Sequence, residues 1–476
     1  MTGNQMEVFL PDPPGELHGK LEARISELEK HAGVLCKNTL RDVAAELRGG
    51  LCGNAAFSPL IVTGHQPIFY PPGIIIKDLL AHELAGRFNG TALNLVVDTD
   101  DAVISFDYPL RAPRSPSVGG FARKEKFTLN RPGQALKYQE LEPGRRKALL
   151  ERMRELELNA ADIFAPDMVS EIRRNLRMAM EETEASTRVT EPGVRLRERW
   201  ERENGINLRT IYVSDLMDTR AFAYFKRFIV ENADEFRRVY NGALEDYRRE
   251  RKIKNPAQPL PNLDARELPF WGVKSGRRIP LTQDMDWNHP EVYPRAVALT
   301  LFCRLFLCDI FIHGRGGGRY DQITDQVLLN FFKCKGAPFT VASATIYPRA
   351  RADFPLESRA PSEIERDLRW MKFDPSRFLE PEHELRVKRD AAIASLREPE
   401  PDRRAAHLEF QAVIRGARDV LAGKRRDFMT EKERAAIVRL NREIFRERAL
   451  PFIFYDLRPL MDAVRAYGEK RVMASA

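Results

Sequence analysis

Two stretches of the chain hold residues whose types and spacing suit the binding of anions. Gly314-Arg315-Gly316-Gly317-Gly318-Arg319-Tyr320-Asp321 sets a glycine-rich loop between a candidate strand, Asp309 to His313, and a candidate helix, Asp321 to Phe332. Backbone N–H groups in such a loop can approach an anion closely, and the helix end behind it adds partial positive charge. Arg315 and Arg319 are candidates to clamp a phosphate or carboxylate, and Asp321 is the expected N-cap. The loop is not the dinucleotide fingerprint, because Arg319 stands where the last glycine is needed. It is not a Walker loop either, having no Gly-Lys-Ser/Thr. The competing reading is a tight turn that needs only positive φ.

The second stretch is Thr63-Gly64-His65-Gln66-Pro67, at the end of an apolar run from Leu60. An imidazole at such a strand end can donate to a phosphate oxygen, the way histidines at a helix amino terminus steady a triphosphate in class I nucleotidyl-transfer folds. Lys77, about a turn into the following segment, either reaches the same anion or is solvated. Asp98, Asp100 and Asp101 close the next apolar run, Leu93 to Asp98. There a carboxylate can bind a ribose hydroxyl, a substrate ammonium or Mg²⁺, or simply cap a helix or face water. His313 meets His65 if their two strands lie side by side.

These residues need elements that bring them together. The prolines at 67, 71 and 72 exclude helix at that point, and an apolar segment follows Gly73, so Leu60 to Asp98 reads as strand, helix, strand. A βαβ unit of this length makes its strands parallel neighbours, which puts His65 and the acids on one carboxyl edge of an α/β sheet, where open sheets bind ligands.

The rest of the chain divides by character. Residues 1–57 are a lead-in, extended to about residue 20 and then helical, with Ile25, Leu28, Leu40, Val43, Ala44 and Leu47 at helical spacing and Gly49-Gly50 as its C-cap. Residues 58–130 hold the βαβ unit and a loop-like tract, Pro109 to Gly133, with Pro113, Pro116 and Gly119. Residues 131–255 read as a mainly helical insertion, with a short strand at Thr210 to Val213 and an aromatic stripe of Phe222, Phe225, Phe228 and Phe236 expected to be packing. Residues 256–355 hold a proline-rich connector, a hairpin from Glu267 to Leu281 turning through Lys274-Ser275-Gly276, a helix from Val292 to Leu307, and the glycine loop. Residues 356–476 are charged and helical, broken at Pro361, Pro375, Pro381, Pro399 and Pro401, and predict a helical hairpin or short coiled-coil arm.

Composition narrows the classes. With 77 basic against 69 acidic side chains, and 31% charged residues, the excess of +8 is spread over a mixed surface. No basic run interleaves with aromatics, which argues against nucleic acid. The five cysteines show no C-x-x-C spacing, so neither a zinc site nor a redox pair is expected, and scattered thiols suit a reducing cytoplasm. No signal peptide is evident, and Arg304 and Asp309 interrupt the most apolar stretch, so no membrane association is expected.

Thr63-Gly64-His65-Gln66, the acid-ended strand at Asp98 to Asp101, the Leu268-Pro-Phe-Trp271 hairpin with Gly276-Arg-Arg-Ile279, and the Phe311-Ile-His-Gly314 glycine loop follow one another in an order that resembles the cysteine-adding ligase of bacillithiol biosynthesis. The resemblance implies a Rossmann-like, class I nucleotidyltransferase-like parallel-sheet core with helical insertions, a C-terminal coiled-coil arm forming a homodimer, and amide-bond formation between an amino acid and an amine. It places Thr63, Gly64, Gln66, Asp98, Asp100, Gly316 and Gly317 in the substrate or nucleotide pocket. His65-Gln66-Pro67, Gly73 and Lys77 are also similar to a family encoded in surface-polysaccharide gene clusters, with the same kind of core. The expectation is therefore an ATP-dependent ligase, with Mg²⁺ as a possible companion of ATP. Its small-molecule substrates would be an amino acid or amino sugar derivative. His65, Lys77 and the 314–319 loop would hold phosphates, and Asp98 to Asp101 an amine or metal. Nucleotidyl transfer to a phosphorylated sugar or alcohol, or a non-catalytic dimeric binding protein, are the alternatives.

Overall fold

The computed structural model describes residues 6–11, 16–17, 19–24, 34–35, 38–53, 58–112, 120, 122–398, 402–446 and 448–469. Ile25, Leu28, Cys36, Pro113, Pro116, Gly119, Pro399 and Pro401 lie outside them. The chain is a mixed α/β fold built on a five-stranded parallel sheet of β1 (Leu60–His65), β2 (Thr91–Val96), β3 (Arg209–Tyr212), β4 (Ile310–His313) and β5 (Phe339–Val341). The strands lie in the order β5-β4-β1-β2-β3, and every neighbouring pair is parallel.

Side chains alternate across this sheet with the period of two that a strand imposes. Ile61, Ala92, Val96, Ile310 and Ile312 enter one core, with α1 (Pro72–Arg87), α2 (Pro143–Ile163), α3 (Pro166–Glu184) and α4 (Glu191–Glu203). Leu60, Val62, Leu93, Leu95, Ile211 and Phe311 enter the other, with α5 (Arg220–Glu231), α6 (Ala233–Arg251), α7 (Ala296–Phe302) and α8 (Arg315–Asn330). The connections after β1 and β2 thus cover one face and those after β3 and β4 the other, as right-handed crossovers require when the chain reverses direction across a sheet. Phe222, Phe225 and Phe236 are buried in the second core, so the aromatic stripe is packing.

Several expected boundaries move, each for a local reason. Pro72 is the first residue of α1 rather than outside it, since that position has no use for an N–H. The helix Leu40–Cys52 continues through Gly49 and Gly50. The tract expected as loop contains a hairpin: Ser105–Arg111 pairs with Ala122–Thr128, and Pro109 is tolerated because the ribbon has only two strands. Glu7–Phe9, expected as lead-in, pairs with Ser343–Thr345. The aromatic stripe runs over two helices, α5 and α6, which meet at Asn232.

The 267–281 hairpin forms as expected, with Ser275 and Gly276 both at positive φ in its turn. Tyr293–Pro294 adds a third strand to it, which delays the start of α7 to Ala296. Beyond residue 360 follow α9 (Pro361–Phe373), α10 (Glu384–Ser395), α11 (Arg403–Val420), α12 (Ala422–Phe445) and α13 (Arg458–Glu469). Met371, Ala417, Leu421 and Phe428 share a small core of their own. Among the described residues no helix is long and apolar enough to cross a membrane, and Cys52, Cys303, Cys308 and Cys334 are buried and in no disulfide.

Candidate functional site

Where β1 and β4 lie side by side the chain switches direction, and the crevice at their carboxyl ends is the place where an open parallel sheet leaves room for a ligand. A cavity of about 570 Å³ fills it. His65, Gln66 and Asp100 line one side, His313, Gly317 and Asp321 another, and Trp271, Arg278 and Arg295 a third. Leu260, Val297 and Leu299 supply apolar wall. Two segments far apart in sequence, 64–66 and 313–321, therefore line one cavity.

The backbone under the site is fixed from below. Asp309 accepts the Leu60 N–H at 2.9 Å and an Arg48 N–H at 2.8 Å, tying the start of β1 to the start of β4. At the other end, Gly64 passes so close to β2 that a Cβ would lie 2.7 Å from the Leu95 carbonyl oxygen. The carbonyls of Asp98 and Asp100 accept the N–H groups of Lys137 and Leu136 at 2.9 and 2.8 Å, which holds the acidic loop open toward the cavity.

His65 is half-buried, and its Nδ1 lies 3.3 Å from the Gln66 carbonyl. Loss of water and the nearby Lys77 ammonium push its pKa down to about 3, so at neutral pH it is uncharged, and with its one proton on Nδ1 toward the Gln66 carbonyl its Nε2 can only accept. Gln66 donates to Asp100 at 3.0 Å, and Arg278 pairs with Asp100 at 2.9 Å and also with Asp101. The guanidinium groups of Arg278 and Arg295 lie 5.0 and 4.1 Å from the centre of the Trp271 ring, and Arg295 pairs with Glu267. This wall of Trp271, Arg278 and Arg295 was not among the residues the sequence singles out as a site. The only sequence signal for it was the hairpin itself.

The glycine-rich segment is helix, not loop. Gly314 is the N-cap and α8 begins at Arg315, so Asp321 sits in the second turn and caps nothing. None of these glycines has positive φ. Two of them are needed for room instead: a Cβ on Gly318 would lie 2.3 Å from Val341 Cγ2, and one on Gly317 2.8 Å from His313 Nδ1. Around Gly314 and Gly316 the space is open. Asp321 is buried, and its Oδ2 meets Arg304 Nη1 at 2.9 Å and His313 Nε2 at 3.0 Å. Burial works against its charge, but the His313 hydrogen bond and the Arg304 guanidinium outweigh it and hold the carboxyl below its ordinary value. Arg304 also pairs with Asp325 at 2.6 Å.

Other expected site residues point elsewhere. Asp98 is buried and accepts from the Ser214 N–H and hydroxyl at 3.0 and 2.5 Å. Burial raises its pKa against those hydrogen bonds, and it works as a cap for the turn of helix Val213–Met217. Lys77 is buried, with Nζ donating to the Gly64 carbonyl at 2.7 Å, and burial lowers its pKa to about 8. It supports the end of β1 from the α1 side. Thr63 is fully buried on that same side. Arg315 lies over the Phe9 ring, and Arg319 is exposed. Neither lines the cavity, because both project outward from the first turns of α8.

A wider, more open depression of about 730 Å³ lies at the opposite, amino edge of the sheet, with His82, Gly90, Thr91, Asn207 and Arg209 on its rim. The chemistry-bearing ends of the strands face away from it. Compared with models of known families and with the curated proteins, the chain matches none.

Proposed function

We propose that this cleft is the active site of an ATP-dependent ligase that joins an amino acid or similar carboxylate to an amine. The observation that carries the reading is the convergence of the His65-Gln66 strand end and the first turns of α8, through Gly317 and Asp321, on one cavity at the switch point of a parallel sheet. The strand order is that of Rossmann-like nucleotide-binding cores, and the likeness of Thr63 to Gln66, the hairpin and the glycine-rich segment to the cysteine-adding ligase of bacillithiol biosynthesis points the same way.

A free carboxylate is a poor electrophile, so amide formation needs a phosphoryl or adenylyl group placed on it first, and the enzyme lowers that barrier by supplying donors where phosphate charge builds up. Here the donor is the N–H of Gly317, the glycine in the first turn of α8 that lines the cavity. His65 offers its Nε2 as a neutral acceptor. Trp271, Leu260 and Val297 give a base or substrate side chain an apolar surface, and Gln66, held by Asp100, supplies an amide whose direction is set. Mg²⁺ would come with the triphosphate, whose oxygens provide most of its ligands. The same likeness extends the proposal to a homodimer formed through the C-terminal helices.

Gly316→Asp tests the reading. Its side chain has room, and a carboxylate in the first turn favours a helix. In calorimetry with ATP the variant should bind at least ~100-fold more weakly than wild type, the order expected when a charge-assisted anion site is filled by a like charge, with an unchanged or higher melting temperature. Equal ATP affinity in the two proteins would overturn the proposal.

A further inference from the structure

We propose that His313 is the general base of the bond-forming step, and that residue 317 is glycine in order to keep its Nδ1 open to the cavity. The inference rests on the ligase reading.

Asp321 is ionised and can only accept, so the proton between it and His313 belongs to Nε2, and in the neutral ring Nδ1 carries the lone pair. The ring has little freedom to turn away. Its centre lies 4.5 Å from that of Phe311 and 5.6 Å from that of Phe339, and Arg304 holds the Asp321 oxygen from behind. On the Nδ1 side stands Gly317, where any β-carbon would come within 2.8 Å of the nitrogen. Both residues line the cavity, so the gap above Nδ1 opens into it.

The other basic groups near the cavity are already committed. His65 is held neutral to about pH 3, which makes it too weak a base, and Lys77 gives its Nζ to the Gly64 carbonyl. Arg278 and Arg295 are paired with carboxylates and do not deprotonate.

In the step assigned, the nitrogen lone pair of the amine attacks the carbonyl carbon of the activated carboxylate. The C–N bond forms, and the bond from that carbon to the phosphate oxygen breaks, its electron pair leaving with phosphate or AMP. The surplus proton on nitrogen passes to Nδ1, and Asp321, as a positioning residue, stabilises the imidazolium until it returns the proton to water.

The experiment supplies Mg-ATP and the twenty amino acids as carboxylate donors and compares two kinds of acceptor. Hydroxylamine, a strong nucleophile at neutral pH, reports activation as a hydroxamate. Glucosamine and the amino acids themselves report amide formation by mass spectrometry. His313→Gln should slow amide formation ~100-fold or more, the size of a lost general base, while hydroxamate formation falls far less. Gly317→Ala should show the same split, and Asp321→Asn should shift the acid limb of the pH–rate profile. Wild-type protein that makes no hydroxamate from any amino acid overturns the ligase reading itself. Hydroxamate from wild type, with His313→Gln losing both products equally or keeping amide formation, overturns only the assignment of the base.

Discussion

Two imidazoles face one cavity, and their neighbours give them different tasks. His65 stays neutral to about pH 3 in the folded protein, against 6.5 for the free side chain. Between those values the unfolded chain binds the extra proton, so the stability this residue contributes is complete above pH 6.5 and drains away as pH falls toward 3. Denaturant midpoints of wild type and His65→Gln, measured from pH 6.5 down to 4.5, should therefore decline less steeply in the variant; equal slopes would refute the burial argument. The glycines separate in the same way. Gly318→Ala drives a methyl group into Val341 and should cost ~1–3 kcal/mol, the usual price of overpacking. Gly316→Ala, with nothing near its new carbon, should leave stability unchanged or raise it by up to about 1 kcal/mol. Urea denaturation of the two variants side by side checks both.

At the level of elements, the hairpin after residue 266 does more than its sequence suggests. Arg278 reaches back from it to Asp100 and Asp101, and through Asp100 it sets the direction of Gln66. Replacing Arg278 with Gln frees both carboxylates and leaves them charged beside the ligand. ATP should then bind roughly 10-fold more weakly, about what a lost partly buried ion pair costs in binding, while the far-ultraviolet circular dichroism stays as it was; calorimetry decides. The hairpin itself was legible, because Lys274-Ser275-Gly276 between alternating residues names its turn. So were β1, β2 and β4, whose apolar runs stop at chemistry-bearing ends. The start of α8 was not. Glycine costs a helix about 1 kcal/mol relative to alanine, so a run of glycines reads as loop, and only the nearness of His313 and Val341 explains Gly317 and Gly318. Of the alternatives open for Asp98 the cap is the one found, and the sequence could not choose it because its partner, Ser214, follows another strand and nothing local announces the pairing. Lys77 has the spacing of a phosphate ligand but sits under β1 rather than above it.

At the scale of the molecule, the sheet divides the apolar residues into two cores, and α12 and α13 join the first of them through Ile444, Phe445, Leu460, Val464 and Tyr467 as well as by specific hydrogen bonds. Asn441 on α12 is fully buried, accepting the Ala122 N–H at 3.0 Å and donating to the Pro355 carbonyl at 3.0 Å. Asn441→Leu would leave a buried N–H and a carbonyl unsatisfied, at a cost of ~2–5 kcal/mol. Limited proteolysis should then cut first at the junction near residue 355, and an unchanged cutting pattern would show that these bonds are not what fastens the helices.

The central position of β1 also governs how the chain must be made. Its partner on one side, β2, follows within about thirty residues, but its partner on the other, β4, begins only at Ile310. While a ribosome works through the intervening two hundred or so residues, the nascent half-sheet exposes the bare flank of β1, the kind of edge on which strangers add strands. Synthesis at ordinary speed leaves it so for some ten seconds or more. Chaperone occupancy should accordingly peak on ribosomes paused before codon 310 and drop once β4 has emerged.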